Sequence, residues 1–425
     1  MTETFNANRD EKSIVLEYIR SHWPNTIRHE PNDVGNLIGL PYPYTVPCQH
    51  EPTMQNNFYW DTYFTNVGLL RQGFIELAKN NVDNLLFEVE KFGFVPNGNR
   101  TFFLTRSQAP FLSLMIKDIY AAFQDRDWLR SAFTTWRKEY DFWLQTRLTP
   151  IGLNRYFHHA TNAQLLEFYA DELKHRPKTE VDTEGQQLAI SAHLLAEAES
   201  GWDFTPRFEQ RCADFAPVDL NSLLYLNEVN AAYFCEILDD PEKQVWLERA
   251  QRRLKLIHDF CWNKKGGLFY DYDFVHHRQS LVASLATFVP LWTRLATGQQ
   301  ARMIVSNLHR FEFDYGVAAC ENSQQRLTYQ WDYPNGWPPL FYMVINGLNN
   351  YGFYQEAHRI AEKYLRVVIK NFKETGELWE KYNVVDGSIQ VKNEYAMPAM
   401  MGWTAGVFVF CAHFLEANLS FNIKR

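Results

Sequence analysis

The segment Gln330-Trp331-Asp332-Tyr333-Pro334-Asn335-Gly336-Trp337-Pro338-Pro339 combines two tryptophans, one acid and two amides with four residues that disrupt helices. Because proline and glycine fix an irregular backbone, the pattern predicts an ordered loop. Tryptophan faces can stack on a pyranose ring, and carboxylates and amides can bind its hydroxyls. The segment therefore predicts a sugar pocket, although a single Trp-Asp pair would more often belong to a loop that closes over a core.

Helical patterns surround this loop on both sides. Apolar residues recur at three- and four-residue steps in the segments 13–22, 63–74, 108–123, 185–197, 220–238, 242–260, 354–371 and 402–415. Loops rich in Gly, Pro, Asn and aromatic residues separate them at 41–60, 95–110, 201–206, 329–339 and 377–403. We predict an all-α fold, an α/α toroid with these loops at one end. Periodicity alone would equally permit an irregular bundle or a solenoid.

The composition indicates one large domain with a neutral ligand. No linker or low-complexity run divides the 425 residues, which favours a single core. Aromatic residues make up 16% of the chain, a share that suggests an aromatic-lined cavity as well as a core. The formal charge is −8, and without a basic stripe to neutralise phosphates we expect no nucleic-acid partner.

The N-terminal residues 1–12 are polar, and no long apolar run occurs. This pattern lacks a secretory signal and a membrane span, so we expect a cytoplasmic location. Six cysteines lie far apart without metal-ligand spacing, which favours buried free thiols over disulfides or zinc. We expect no metal and no cofactor; the oligomeric state stays open, with a monomer favoured.

The segment 199–204 carries a candidate general acid. Gly201 is suited to end the preceding helix in a left-handed conformation, and Asp203 follows between Trp202 and Phe204. Apolar neighbours disfavour an ionised carboxyl, which is what a general acid requires at neutral pH. An equally plausible role for Asp203 is to cap the next helical turn.

Glu380 offers a second carboxyl, beside Trp379 and Lys381. Hydrolysis of a glycoside needs two: one protonates the leaving oxygen, and in inverting enzymes the other activates water at roughly 6.5–9.5 Å separation. Glu380 could instead be a solvated surface residue, the commoner fate of glutamate. Glu394 is a third candidate, which the residue pattern does not rank against Glu380.

Arg106 and Asp61 are further polar residues beside predicted helices. Arg106, after the turn-rich segment 96–100, could bind sugar hydroxyls or set the ionisation of a carboxyl. The alternative is a helix capped by Ser107 and an ordinary surface ion pair. Asp61 forms a second Trp-Asp pair with Trp60, where it could also cap a helix.

Together these segments resemble the α,α-trehalases of glycoside hydrolase family 37. The resemblance rests on QWDYPNGW at 330–337, SGWDF at 200–204, PNGNR at 96–100, RSQAP at 106–110, EKYNV at 380–384, PVDLNSL at 217–223 and GWT at 402–404. Ala109 stands where the family has a proline. The likeness runs in order from about residue 40 to about 410.

The resemblance implies an (α/α)6 toroid and an inverting mechanism, with Asp203 as the general acid and Glu380 as the general base. We expect a helical extension, residues 1–40, packed on a catalytic domain, residues 41–425. Around the glycosyl ring it places Trp60, Asp61, Asn99 and Arg106. The predicted pocket wall adds Trp202, Gln330, Trp331, Asn335 and Trp337. Near the leaving sugar it places Arg176 and Glu394.

Two departures affect the leaving-group side. The family pattern PGGRF is replaced by Pro52-Thr53-Met54, without an arginine before Trp60, and its glycine-rich stretch by residues 389–393. Polar groups built for one leaving group discriminate sharply against another. Hydrolysis of glucosylglycerate or mannosylglycerate, with Lys392 or Arg176 serving an anionic leaving group, is therefore an alternative.

Two other function classes are less consistent with the sequence. A sugar isomerase or epimerase would need pocket histidines, but the pairs at 158–159 and 276–277 lie outside the matched loops. A non-catalytic sugar-binding protein would lose the acids, and both are present. We predict a metal-independent, inverting α-glycosidase that hydrolyses trehalose or a close α-glucoside and releases glucose.

Overall fold

The computed structural model describes residues 2–175, 180–322, 329–391 and 396–422. Across these residues the chain forms fourteen α-helices: α1 (Thr2–His22), α2 (Tyr59–Arg71), α3 (Ile75–Phe92), α4 (Leu112–Phe123), α5 (Arg126–Thr146), α6 (Asn162–His175), α7 (Glu184–Ser200), α8 (Val218–Leu238), α9 (Lys243–Cys261), α10 (Val289–Trp292), α11 (Gly298–Ser306), α12 (Pro338–Asn350), α13 (Tyr354–Thr375) and α14 (Gly402–Asn422).

Inner and outer helices differ in how their faces are buried. Every residue from Tyr59 to Leu69 in α2 is buried, whereas α13 buries one apolar face and leaves Glu362 and Arg366 exposed. A helix that is buried on all sides lies inside the fold, and an amphipathic helix lies on its surface. Helices that follow each other pack in pairs, for example α2 with α3, α8 with α9, and α12 with α13. The predicted all-α fold, an (α/α)6 toroid, is confirmed.

The ring closes where α2 packs on α14. A β-carbon on Gly406 would lie 1.9 Å from the carbonyl oxygen of Phe64, and one on Gly68 would lie 2.7 Å from the Cα atom of Gly406. Only glycine permits two backbones to approach this closely. The two glycines therefore join the two ends of the ring.

The N-terminal helix packs outside the ring, against α13 and α14. The Tyr18 hydroxyl donates a hydrogen bond to Glu377 at 3.1 Å. After the helix ends, the buried indole of Trp23 donates to Gln72 at 2.7 Å. The boundary at residue 40 stays a prediction.

Strands are short in the described residues. They pair antiparallel and span two residues each: β1 (Ile27–Arg28), β2 (Tyr44–Thr45), β3 (Phe215–Ala216), β4 (Trp262–Asn263), β5 (Leu268–Phe269), β6 (Tyr272–Asp273), β7 (Arg278–Gln279), β8 (Glu312–Phe313), β9 (Gly316–Val317), β10 (Asn335–Gly336) and β11 (Tyr382–Asn383). The pairing of β10 with β11 sets Gly336 opposite Tyr382. It brings the 330–337 loop beside the segment that carries Glu380.

All six cysteines are buried and free of disulfides, as predicted. Within the described ranges, no helix is long and apolar enough to span a membrane.

Candidate active site

A cavity of about 180 Å³ lies where the five predicted loops meet. Every one of these loops contributes to its wall. The lining residues are Met54, Phe58, Trp60, Asp61, Asn97, Phe103, Arg106, Gln108, Ala198, Gly201, Asp203, Trp331, Trp337, Glu380, Met400 and Trp403. Segments far apart in the chain thus form one pocket.

Three carboxyl groups, those of Asp61, Asp203 and Glu380, line this cavity. Burial, together with the charges of Glu380 and Asp203, raises the pKa of Asp61 from its ordinary 3.8 to about 8. The three groups therefore interact electrostatically across the cavity. Phe58, not Asp61, is the N-cap residue of α2.

The backbone around Asp203 is fixed by two neighbouring loops. Gly201 ends α7 in the predicted left-handed conformation, with φ of 75°, and a β-carbon there would lie 2.8 Å from the Trp60 indole. The Gln330 side-chain amide donates to the carbonyl oxygen of Asp203. Thr205, not Asp203, caps the next helical turn, so the capping role for Asp203 is wrong. The peptide bonds Asp203–Phe204 and Tyr333–Pro334 are cis.

Glu380 is buried rather than solvated, so the surface alternative is wrong. Its Oε2 atom lies 2.5 Å from the Nζ atom of Lys381, whose side chain is 0% exposed. The Trp403 indole N–H donates to the backbone carbonyl of Glu380 at 2.9 Å. The Lys381 ammonium also lies 4.5 Å from the ring centroid of Trp337.

Arg106 lines the cavity together with Asp203. Burial lowers the pKa of the Arg106 guanidinium, while the charges of Asp203, Glu199 and Glu172 counteract this shift. Its buried Nε atom has no hydrogen-bond partner among the described residues. The Ser107 hydroxyl donates to Val95 at 2.6 Å and does not cap α4, so the alternative of a capped helix with a surface ion pair is wrong.

Tryptophans form one wall of the cavity. Trp331 and Trp337 stack with centroids 3.8 Å apart and an interplanar angle of 4°. Trp60 lies 5.6 Å from Trp331 and 6.0 Å from Trp403. The wall offers the apolar surface that a sugar ring requires.

Four predicted substrate-binding residues do not line the cavity: Asn99, Trp202, Gln330 and Asn335. The Asn99 amide accepts the Asn57 backbone N–H at 2.8 Å and donates to the Ile38 carbonyl at 3.1 Å. The Asn335 amide donates to the Gln330 carbonyl at 2.8 Å. As placed, these amides hold the loops in position behind the wall. Arg176, Lys392 and Glu394 lie outside the described residues.

The sequence did not identify several lining residues, among them Asn97, Gln108, Met400 and Trp403. Gln108 accepts the backbone N–H of Trp60 at 3.1 Å. Asn97 and Gln108 belong to the PNGNR and RSQAP segments, which could have identified them. Met54 lines the cavity at a position where the chain departs from the family pattern.

A second set of buried charges supports the site from outside the cavity. Arg147 binds Glu199 through two hydrogen bonds of 2.9 and 2.7 Å. Arg207 binds Asp219 and Asp271, each at 2.8 Å, and its guanidinium lies 4.2 Å from the Trp202 ring centroid. These pairs brace the segment from 199 to 207.

A sequence-family model described as Trehalase matches residues 1–416. The chain belongs to the trehalase family. Membership makes it a glycosidase, as predicted. It is 32% identical over 420 residues to the periplasmic trehalase of Xanthomonas campestris pv. campestris, across 93% of this chain and 72% of that protein. The periplasmic trehalase of Xanthomonas oryzae pv. oryzae is also 32% identical, over 423 residues.

Solved structures agree with this assignment. The neutral trehalase of Saccharomyces cerevisiae matches with a TM-score of 0.76 and 29% identity, covering 94% of this chain and 80% of that chain. A GH63 mannosylglycerate hydrolase from Thermus thermophilus matches with a TM-score of 0.63, covering 95% of this chain and 100% of that chain. Its identity is only 17%, so it shares the fold alone.

The predicted cytoplasmic location is wrong. The prediction rested on the polar residues 1–12, and the curated relatives in Xanthomonas are named periplasmic enzymes.

Proposed function

We propose that this chain hydrolyses the α,α-1,1 bond of trehalose with inversion and releases glucose. The observation that carries the proposal is that Asp203 and Glu380 both line one tryptophan-walled cavity. Glycoside hydrolysis with inversion needs two carboxyls that flank the scissile bond with room for a water molecule. The names of the relatives agree with trehalose as the substrate.

In the proposed reaction, Asp203 gives its proton to the oxygen that bridges the two sugars, and the bond from this oxygen to the glycosyl anomeric carbon breaks. Glu380 takes a proton from water, whose oxygen attacks the same carbon from the opposite face. One water molecule is consumed and two glucose molecules are formed. Both carboxyls regain their initial protonation after one proton exchange with solvent.

The remaining cavity residues would bind the glycosyl ring. Because its pKa lies at about 8, Asp61 carries a proton at neutral pH and can donate a hydrogen bond to a sugar hydroxyl. Arg106 offers the unpartnered Nε–H, and the tryptophans offer their faces. The cavity, at about 180 Å³, is smaller than pockets for drug-sized ligands of roughly 300–1,000 Å³. This size supports the enclosure of one sugar ring.

A histidine-based isomerase is not supported by the site. Neither pair, at 158–159 or at 276–277, belongs to the described residues that line the cavity. His276 contacts Asp273 instead, at 2.9 Å.

We also propose a periplasmic location, as in the curated relatives. The periplasm is oxidising, and the burial of all six cysteines would protect their thiols from it.

The test is product analysis with a panel of trehalose, other α-linked glucose disaccharides, glucosylglycerate and mannosylglycerate. We expect trehalose to give the highest kcat/KM, with glucose as the only product. Faster cleavage of mannosylglycerate or glucosylglycerate would favour the alternative substrate class. Conversion without cleavage, or binding alone, would overturn the proposed function.

A further inference from the structure

Lys381 stands out among the charged residues near the cavity because it cannot reach a substrate. Its side chain is 0% exposed, and it is not among the described residues that line the cavity. Burying an ammonium group is costly unless a partner compensates its charge. The contacts of this group therefore indicate what it does.

The ammonium lies between a carboxylate and an aromatic face. Its Nζ atom is 2.5 Å from Oε2 of Glu380 and 4.5 Å from the ring centroid of Trp337. Trp337 is itself held by its stack with Trp331 and by a 3.1 Å hydrogen bond from its indole N–H to the Gln330 carbonyl. Lys381 thus has a rigid platform on one side and the Glu380 carboxylate on the other.

Glu380 lies among other acidic groups. Asp61 from α2 and Asp203 from the loop after α7 line the same cavity. Burial, and after it the charge of Glu380, raises the pKa of Asp61 and of the Cys48 thiol. In general, a nearby like charge disfavours the ionised form of a carboxyl, and a nearby opposite charge favours it. A general base must be ionised before it can accept the proton of water.

We propose that Lys381 is the positioning residue of the general base, keeping Glu380 ionised and holding its carboxylate in place without touching the substrate. The inference rests on the proposed function, because it gives Glu380 the role of base. The two catalytic carboxyls then have cations of different kinds. Arg106, near Asp203, lines the cavity, whereas Lys381, beside Glu380, lies behind the cavity wall.

The experiment compares Lys381→Met, which removes the charge, with Lys381→Arg, which keeps it. In Lys381→Met we expect kcat to fall roughly tenfold or more while KM changes little. The acidic limb of the pH profile of kcat/KM should move to higher pH by about one to three units. Lys381→Arg should keep the limb where the wild type has it, even if the larger group lowers kcat.

A double variant separates this role from a purely structural one. If Lys381 acts only through Glu380, adding Lys381→Met to Glu380→Gln should change the residual rate by less than about twofold. An additional loss equal to that of Lys381→Met alone would overturn the inference, as would an unmoved acidic limb in Lys381→Met. If Lys381→Met does not fold, the pH profile of Lys381→Arg provides the test. An acidic limb of kcat/KM at higher pH than in the wild type would refute the role of the charge.

Failure of the inference and failure of the proposed function give different results. Wild-type turnover in Glu380→Gln would remove the proposed base, whatever the Lys381 variants do. Loss of turnover in Glu380→Gln, with wild-type kcat and pH profile in Lys381→Met, would refute only the role of Lys381. The proposed function would not be affected.

Discussion

Two groups of buried charges lie side by side in this molecule, and they are compensated differently. Outside the cavity, Arg207 binds two aspartates and Arg147 binds both oxygens of Glu199. Inside the cavity, the Nε atom of Arg106 has no hydrogen-bond partner in the described part of the chain. Three carboxyls also lie near one another there, and the pKa of Asp61 is raised to about 8.

This difference distinguishes the scaffold, meaning the ion pairs of Arg147 and Arg207, from the candidate site, meaning the charged residues that line the cavity. A buried ion pair with all its hydrogen bonds made is complete without a ligand, and removing one partner leaves an uncompensated charge. Carboxyls that repel one another and an arginine with an unused donor gain when a polar ligand arrives. Variants that break the ion pairs of Arg147 and Arg207 should therefore lose stability, whereas variants of Arg106 and Asp203 in the cavity should lose activity.

The largest effect is expected at the two proposed catalytic carboxyls. Asp203→Asn and Glu380→Gln should each lower kcat by roughly 10²- to 10⁴-fold, because a proton transfer in the transition state is lost. Thermal unfolding of Asp203→Asn should stay near the wild-type temperature, whereas Glu380→Gln should unfold at a lower temperature, because it leaves the buried Lys381 ammonium without its carboxylate partner. Near wild-type turnover in either variant would refute its role.

The next effect concerns the scaffold. Arg147→Met should lower the free energy of unfolding by about 3–5 kcal/mol, because it leaves the buried carboxylate of Glu199 without its cation. Urea unfolding measures this loss. A change below about 1 kcal/mol, typical of exposed pairs, would contradict the difference drawn between scaffold and site.

Arg106→Gln is the matched change inside the cavity. It should lower kcat/KM by about 100-fold, the scale of a misplaced substrate, because Arg106 lines the cavity close to Asp203. Its effect on urea unfolding should be smaller than that of Arg147→Met. The reverse pattern, with stability lost and kcat/KM kept, would place Arg106 in the scaffold.

The last expected effect is a pH dependence of stability. The pKa of Asp61 is about 8 in the folded protein, against an ordinary 3.8, so the folded state keeps a proton that the unfolded chain releases. The stabilisation is complete below the lower pKa and is lost as the pH rises through the higher one. Wild type should thus lose stability relative to Asp61→Asn between about pH 4 and pH 8. Parallel urea titrations at several pH values test this, and a constant difference would contradict it.

Much of the site could be predicted from the sequence because the loop composition marks it. Each of the five predicted loops reaches the cavity, and Gly201 caps α7 as its position indicated. The six-hairpin toroid itself came from the family resemblance, since helical periodicity fits several helical folds.

The remaining features depend on tertiary contacts. Asn97 and Asn99 lie in one segment, yet only Asn97 lines the cavity, because the backbone N–H of Asn57 and the carbonyl of Ile38 occupy the Asn99 amide. The partners of Arg147 and Arg207 lie 12 to 64 residues away in the sequence, so no local pattern distinguishes these arginines from Arg106. The cellular location was predicted wrongly because the prediction rested on the polarity of the twelve N-terminal residues.

The most direct test of an inverting acid and base is the anomeric form of the first products from trehalose, followed by proton NMR before mutarotation. Inversion at one anomeric carbon predicts equal amounts of α- and β-glucose at the start, because the leaving glucose keeps its α configuration. An initial product that is α-glucose alone would mean retention, and Glu380 could not then act as the base that activates water.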